Sequence, residues 1–399
     1  MRLVSGALGI VLTLALALAH VETASAQQIP DPETFVSDLD FPTGLAFVND
    51  DTLLVNERRG AVRVIEDGAL LDEPLAQIPT TIGGEAGLLG LAVDPDAEAA
   101  YVFATDPDGA HNSIWRIPLD DPGGARKIVE DLPAAAYHNG GGVAFDQDGM
   151  LLISHGEQHS SERSQDPAAL GGKVYRYTPE GEVPSGGPFG SSPTLALGLR
   201  NPYGLAVDPQ TGFAWVTENG PSSYDEVNRI EPGGNYGWPE VNGPGEGAGL
   251  AGTYHDPVLA YEAIIVPTGL AFAGPDARSD VRGDLFFGTY GEASVHRVRL
   301  NADRDEAVAD EVIVEGEQVI GMTWGPEGLY YTTPDSIRVI PLVGGSPPPE
   351  PPSPTEDVTP SPEPAPPAED DDGARPLAVV VFVMLAGAFW AMRRRMRER

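Results

Sequence analysis

A short motif, glycine followed by three mostly apolar residues, recurs six times along this 399-residue chain. It reads "GLAF" from Gly44, "GLAV" from Gly90, "GVAF" from Gly142, "GLAV" from Gly204, "GLAF" from Gly269 and "GMTW" from Gly321, at intervals of 46, 52, 62, 65 and 52 residues. After a Gly/Asp/Pro turn signal, each copy is followed by a second apolar run: "TLLVN", "AYVFAT", "MLLIS", "FAWVT", "DLFFG", "LYYTT". A third element then carries an arginine between β-formers: "VRV", "WRI", "YRY", "NRI", "HRV", "IRV". Short apolar runs separated by tight turns, with no long amphipathic helix, describe an all-β chain. Repeats of about 40–50 residues with about four strands each are the blades of a β-propeller. Six copies predict a six-bladed β-propeller.

The ends do not share this pattern. Residues 1–26 read as a signal peptide, with Arg2 before the apolar run Leu8–Ala19 and the small-residue stretch Ala24, Ser25, Ala26. Residues 27–343 form the predicted propeller. Residues 344–373 read as a Pro/acidic linker, because Ser346–Gly373 holds eleven prolines and eight acidic residues and almost nothing to bury. Residues 374–392 contain the sixteen-residue run "LAVVVFVMLAGAFWAM", a transmembrane or sorting segment of roughly 24 Å as a helix. The basic tail 393–399 predicts a cytoplasmic C-terminus. The propeller is therefore expected outside the cytoplasm, in the periplasm or at the cell surface, held near a membrane by its C-terminal segment.

Composition excludes some partners. A net charge of −36, with Lys127 and Lys173 as the only lysines, leaves no basic face for nucleic acid phosphates. There is no cysteine, so neither disulfides nor a cysteine-bound haem contributes.

The repeat also predicts where chemistry gathers. In a propeller the first strand of each blade lines the central channel, so residues just before it sit at one mouth. The second strand runs antiparallel and ends at that same mouth. The first set contains Glu85, His138, Arg200, Asn201 and Gln318; the second contains Glu57, Arg58, Asp106, His155, Glu157, Gln158, Asn219 and Tyr290. Polar and titratable groups brought together from separate blades make this mouth the candidate binding site.

The segments "GGEAGLLGLAVDPD", "HNGGGVAFDQDGMLLISHGEQ", "RNPYGLAVDPQTGFAWVTENGPSSYDEVNRIEPGGNYGWPE" and "VPTGLAF" resemble, in order, the soluble quinoprotein glucose/sorbosone dehydrogenases, aldose sugar dehydrogenases in particular. The resemblance runs from about Phe41 to Leu342. It implies oxidation of an aldose anomeric hydroxyl to the lactone, with hydride transfer to pyrroloquinoline quinone (PQQ) and electrons leaving to a separate acceptor. By the same resemblance His138 is the general base, Glu157 stands where the family has an aspartate that orients it, and Arg200 stabilises developing charge. Glu85, Arg200, Asn201 and Asn219 fall beside the cofactor. The carbonyls of Gly220 and Pro221 match a cofactor-linked Ca²⁺ site, and Glu226 with the Tyr236 carbonyl a structural one. An imidazole, with a reference pKa of about 6.5, suits proton removal near neutral pH.

The resemblance breaks where the family clamps the cofactor's carboxylates with cations. Those positions fall at Gly291, Gln318 and Ile320, Glu292 adds a negative charge, and Arg58 or Arg278 is the available substitute. Two other classes therefore stay open: a non-catalytic propeller binding a sugar, glycan or protein at its mouth, and a calcium-dependent lactonase.

Overall fold

In the computed structural model, residues 28–344 are described. The signal-type segment, the linker beyond Gly344, the hydrophobic segment 374–392 and the basic tail lie outside the described residues. Among the described residues no helix is long and apolar enough to cross a membrane.

The strands assort into six sheets, and the fold is an all-β propeller. The inner strands are Pro42–Asn49, Leu88–Val93, Gly140–Phe145, Pro202–Val207, Pro267–Phe272 and Met322–Gly325. Each carries or directly follows one motif glycine, and each opens an antiparallel meander outward. The last sheet is completed by the N-terminal strand Glu33–Ser37, which pairs antiparallel with Ser336–Pro341. The two ends of the described chain are thus hydrogen-bonded into one sheet, which ties the ring shut.

The motif glycines are explained by how tightly the inner strands meet. A Cβ on Gly44 would lie 2.7 Å from the Leu89 carbonyl oxygen, on Gly90 2.2 Å from that of Gly141, and on Gly204 2.2 Å from that of Thr268. On Gly321 it would lie 2.8 Å from the carbonyl of Thr43, which returns to the first sheet. Each repeat needs a residue without a side chain because the next blade's backbone occupies that space. The channel left along the axis is a constriction of about 60 Å³.

The core is divided between adjacent sheets. One cluster joins Leu89, Tyr101, Phe103 and Ile114 of the second sheet to Val143, Leu151, Ile153 and Tyr175 of the third. Another joins Leu45, Leu53 and Val55 of the first to Tyr330, Ile337 and Val339 of the last. Each such side chain, buried fully, contributes about 1.5–3 kcal/mol, so these shared clusters hold adjacent sheets to one another. The third sheet is also extended by Gly234–Asn235 and Thr253–Tyr254, which pair in parallel fashion beyond Thr194–Leu197. These two strands come from the long connection after Asp225–Ile230 of the fourth sheet, and they stitch the third and fourth blades together beside the site.

Candidate active site

Register places the predicted groups at one mouth. Pro42 pairs with Glu57, Gly140 with His155, Pro202 with Glu218 and Pro267 with Thr289, so each inner strand begins where its neighbour ends. Around this mouth lies a cavity of about 300 Å³, whose wall includes Phe41, Arg58, Glu85, Asn201, Asn219, Tyr290 and Ile320. His138 and Arg200 stand behind that wall and are joined to it through Glu85, Asn201 and Asn219.

His138 is held from every side. Its backbone lies in the left-handed region, with φ of 60°, a conformation that favours glycine and marks local strain in a histidine. Three contacts hold it there. Its N–H donates to Glu85 Oε2 at 2.7 Å, its carbonyl accepts from the Gln158 amide, and Gly156 packs so closely that a Cβ would come within 2.1 Å of the His138 oxygen. The side chain is 9% exposed. Its Nδ1 lies 2.6 Å from Glu157 Oε1 and its Nε2 lies 2.9 Å from Arg200 Nη2.

Those two contacts determine the tautomer. A guanidinium has only N–H donors, so the nitrogen facing Arg200 must be bare and must accept. Nδ1 then carries the proton and donates it to Glu157. The longer side chain of Glu157, relative to the aspartate implied by the resemblance, reaches the ring fully. His138 is thus presented with an unprotonated Nε2, the form in which an imidazole takes a proton.

Arg200 is itself fixed. Its Nη1 donates to the carbonyls of Asn219 and Gly220, at 2.7 and 3.0 Å, and its guanidinium carbon sits 5.6 Å from the centre of the Trp238 ring. Below it lies Glu218, which the sequence reading passed over. Glu218 Oε1 accepts the backbone N–H groups of Arg200 and Asn201, at 3.0 and 2.6 Å. Burial drives its carboxyl far above the usual range, only partly opposed by those hydrogen bonds and by Arg200. Its position at the end of the second strand, in register with Glu57 and His155, was the available signal.

The loop carrying Asn219, Gly220 and Pro221 is stapled by Asp225. One Asp225 oxygen accepts from Gly220 at 2.8 Å, and the other from Ile265 and Val266 at 2.7 and 2.8 Å. Asp225 is therefore consumed in backbone contacts. Glu226 accepts from Gly243 and Asn228, and burial raises its carboxyl to about 7. The Tyr236 hydroxyl donates to the Arg229 carbonyl and accepts from the Glu231 N–H.

Other predicted members of the mouth have different fates. His155 is fully buried against Phe103 and Tyr175, hydrogen-bonded to the Pro133 carbonyl, and burial lowers it to about 4. It belongs to the core, because register turns its side chain into the blade. Asp106 is taken by Ser113 and Lys127, and Glu57 by Asp40 and Arg63. Glu292 does not present an uncompensated charge, since it accepts from His296 and Ser294. Arg278 pairs with Asp280 and is absent from the cavity wall, whereas Arg58 lies in it. His159, missed in sequence, lies against His138 in a tilted contact, with ring centres 4.1 Å apart and planes at 43°.

The sequence model of the family described as "Glucose / Sorbosone dehydrogenase" matches residues 39–339. The chain belongs to this family. Aldose sugar dehydrogenase YliI of Escherichia coli strain K12 is 29% identical over 332 residues, 76% of this chain and 89% of that protein. The PQQ-bound aldose sugar dehydrogenase of Streptomyces coelicolor is 30% identical, with a TM-score of 0.69 over 77% of this chain and 95% of its own. The apo-form of the soluble Escherichia coli aldose sugar dehydrogenase is 28% identical, with a TM-score of 0.70 over 78% of this chain and 99% of its own. This member of the glucose/sorbosone dehydrogenase family is accordingly an enzyme of the oxidoreductase class, similar to aldose sugar dehydrogenases.

Proposed function

We propose that this chain is an extracytoplasmic quinoprotein sugar dehydrogenase on a six-bladed propeller, oxidising the anomeric hydroxyl of an aldose to the lactone with PQQ as hydride acceptor. The observation that carries the reading is the bare Nε2 of His138, held between Glu157 and Arg200. His138 Nε2 takes the hydroxyl proton of the sugar. Glu157 then faces a charged imidazolium across a 2.6 Å hydrogen bond and stabilises it. Arg200, released from Nε2 as the substrate hydroxyl arrives, supplies positive charge to the oxygen on which negative charge develops. Glu85, by fixing both the His138 backbone and the Asn201 amide, keeps base and cavity in register.

The residues present fit a planar quinone in part. Phe41 and Tyr290 give the cavity flat aromatic surfaces, Ile320 adds an apolar one, and Arg58 offers a guanidinium to one carboxylate. PQQ, when bound, supplies the two-electron acceptor for the C1 hydride. The Asn219 and Gly220 carbonyls already surround a positive charge, that of Arg200. Oxygens so disposed also suit a hard cation such as Ca²⁺, which would compete with Arg200 for the Gly220 oxygen, with Pro221 next in the chain. Electrons leave to a separate acceptor, since the chain has no cysteine with which to attach a haem. The C-terminal hydrophobic segment would keep the propeller at a membrane surface.

The test is reconstitution of the purified full chain with PQQ and Ca²⁺, followed by dye reduction with a panel of aldoses and detection of the lactone. PQQ-dependent turnover is expected. Failure to bind PQQ at micromolar concentration points instead to a non-catalytic propeller that captures a ligand at the same mouth.

A further inference from the structure

His159 has no place in the mechanism above, yet it lies against the base. It is exposed, sits in the left-handed region with φ of 60°, and rests its ring on that of His138. A ring nitrogen of each histidine and a carboxylate oxygen of Glu157 lie within 4.8 Å of one another. A second, independent feature points to the same spot. Glu157 is 2% exposed, and its Oε2 is buried with no hydrogen-bond partner. A buried carboxylate oxygen left unpaired costs about 1–3 kcal/mol or more, and a cation would remove that cost.

We infer that His138, Glu157 and His159 form a site for a borderline divalent transition metal, Zn²⁺ in the first instance, and that filling it switches the base off. Two imidazoles and one carboxylate are a zinc donor set, with water completing the tetrahedron. They are a poor set for Ca²⁺, which takes six to eight oxygens. In a tetrahedron, donors about 2.0–2.2 Å from zinc lie roughly 3.3–3.6 Å apart, so closure needs a movement of up to about 1.4 Å. Exposed His159 can make that movement without disturbing the core. Either nitrogen of His138 that binds the metal must give up a partner, Nδ1 its bond to Glu157 or Nε2 its bond to Arg200. The cation therefore removes either the orientation of the base or its lone pair. His159 acts here only as a metal ligand and touches no reacting atom.

The site itself stands on geometry, and only its inhibitory consequence rests on the proposed sugar oxidation. The experiment is calorimetric titration of ZnCl₂ into the purified full chain in excess Ca²⁺, for wild type, His159→Ala and Glu157→Gln, with circular dichroism to check folding. Wild type should bind Zn²⁺ at one site with Kd on the order of 10 µM or below. Each variant should weaken that site at least about 10-fold. Where aldose turnover is measurable, Zn²⁺ should suppress it in wild type at the same concentration, reversed by chelation and refilling with Ca²⁺, and His159→Ala should need at least about 10-fold more. Absence of binding at 100-fold that concentration, or binding undiminished in both folded variants, overturns the inference. Zinc binding without any dehydrogenase activity would sink the functional proposal and leave the metal site standing. Turnover unchanged when the zinc site is filled would overturn the switch and leave the dehydrogenase reading standing.

Discussion

The two sides of the mouth are built on opposite plans. On the side formed by the third and fourth sheets, both ring nitrogens of His138 and both terminal nitrogens of Arg200 have a named partner, and buried carboxylates of Glu157 and Glu218 sit behind them. On the side formed by the fifth and sixth sheets, the wall includes Tyr290, Val266, Thr268 and Ile320, with no cation among the described residues. The first side specifies proton chemistry closely. The second accepts a flat ligand and holds its charge only weakly, leaving Arg58 of the first blade as the one cation in the cavity wall among the described residues. Gly291 sharpens the contrast. Its N–H donates to the Ile265 carbonyl, and a Cβ there would meet Val266 Cγ2 at 2.7 Å and the Ile265 oxygen at 2.9 Å. The lysine that the resemblance implies is not merely replaced at this position; a side chain there would press on Val266 and the Ile265 carbonyl.

The largest effect expected from this comparison is on the base. His138→Ala should lower kcat by at least about 1,000-fold with an unchanged dichroism spectrum, because both a proton acceptor and a fixed geometry are lost. Glu157→Gln should follow at roughly 100-fold, since an amide lets the imidazole take the wrong tautomer, and Glu157→Asp should recover part of it. On the other side the expected effects are on binding. Arg58→Ala should weaken PQQ about 10-fold by equilibrium titration. Gly291→Lys should fail to tighten it and should cost about 1–3 kcal/mol of stability from overpacking. Tighter PQQ binding in the lysine variant would break the claim that this wall is closed.

The smallest effect concerns His296, held between Asp310 and Glu292 at 2.9 and 2.8 Å. Burial works to lower its pKa, but the two carboxylates overcome this and raise it. A histidine with a raised folded pKa stabilises fully below its unfolded value, about 6.5, and loses that contribution as pH rises through the folded value. His296→Gln should therefore destabilise by about 1–2 kcal/mol at pH 6 and by less at pH 9, read by urea unfolding.

The ring was legible in the sequence because its steric demand falls on one residue per repeat: only glycine fits where Gly90 meets Gly141 or Gly204 meets Thr268. The pairing of His138 with Glu157 and Arg200 was legible for a related reason, since register alone carries strand starts and strand ends to one mouth. Other features lay in loops that no periodicity describes. His138, Gln158 and His159 all occupy the left-handed region without being glycine, so the turn that brings His159 against the base left no compositional trace. Charge was misread where partners come from neighbouring strands. Glu292 looked like a repulsive group at the mouth, but His296, four residues on, faces it across the turn. Asp225, one residue before Glu226, is a loop staple that no sequence pattern announced, since three backbone N–H groups from two segments occupy it.

The central claim is that the protein presents His138 with Nδ1 protonated and Nε2 bare. Selective ¹⁵N-histidine labelling of the full chain, with His138→Gln to assign the resonances, reads this directly from the two ring-nitrogen shifts. The account predicts a protonated, pyrrole-type Nδ1 and an unprotonated, pyridine-type Nε2 near neutral pH. A protonated Nε2 in the folded protein would contradict it.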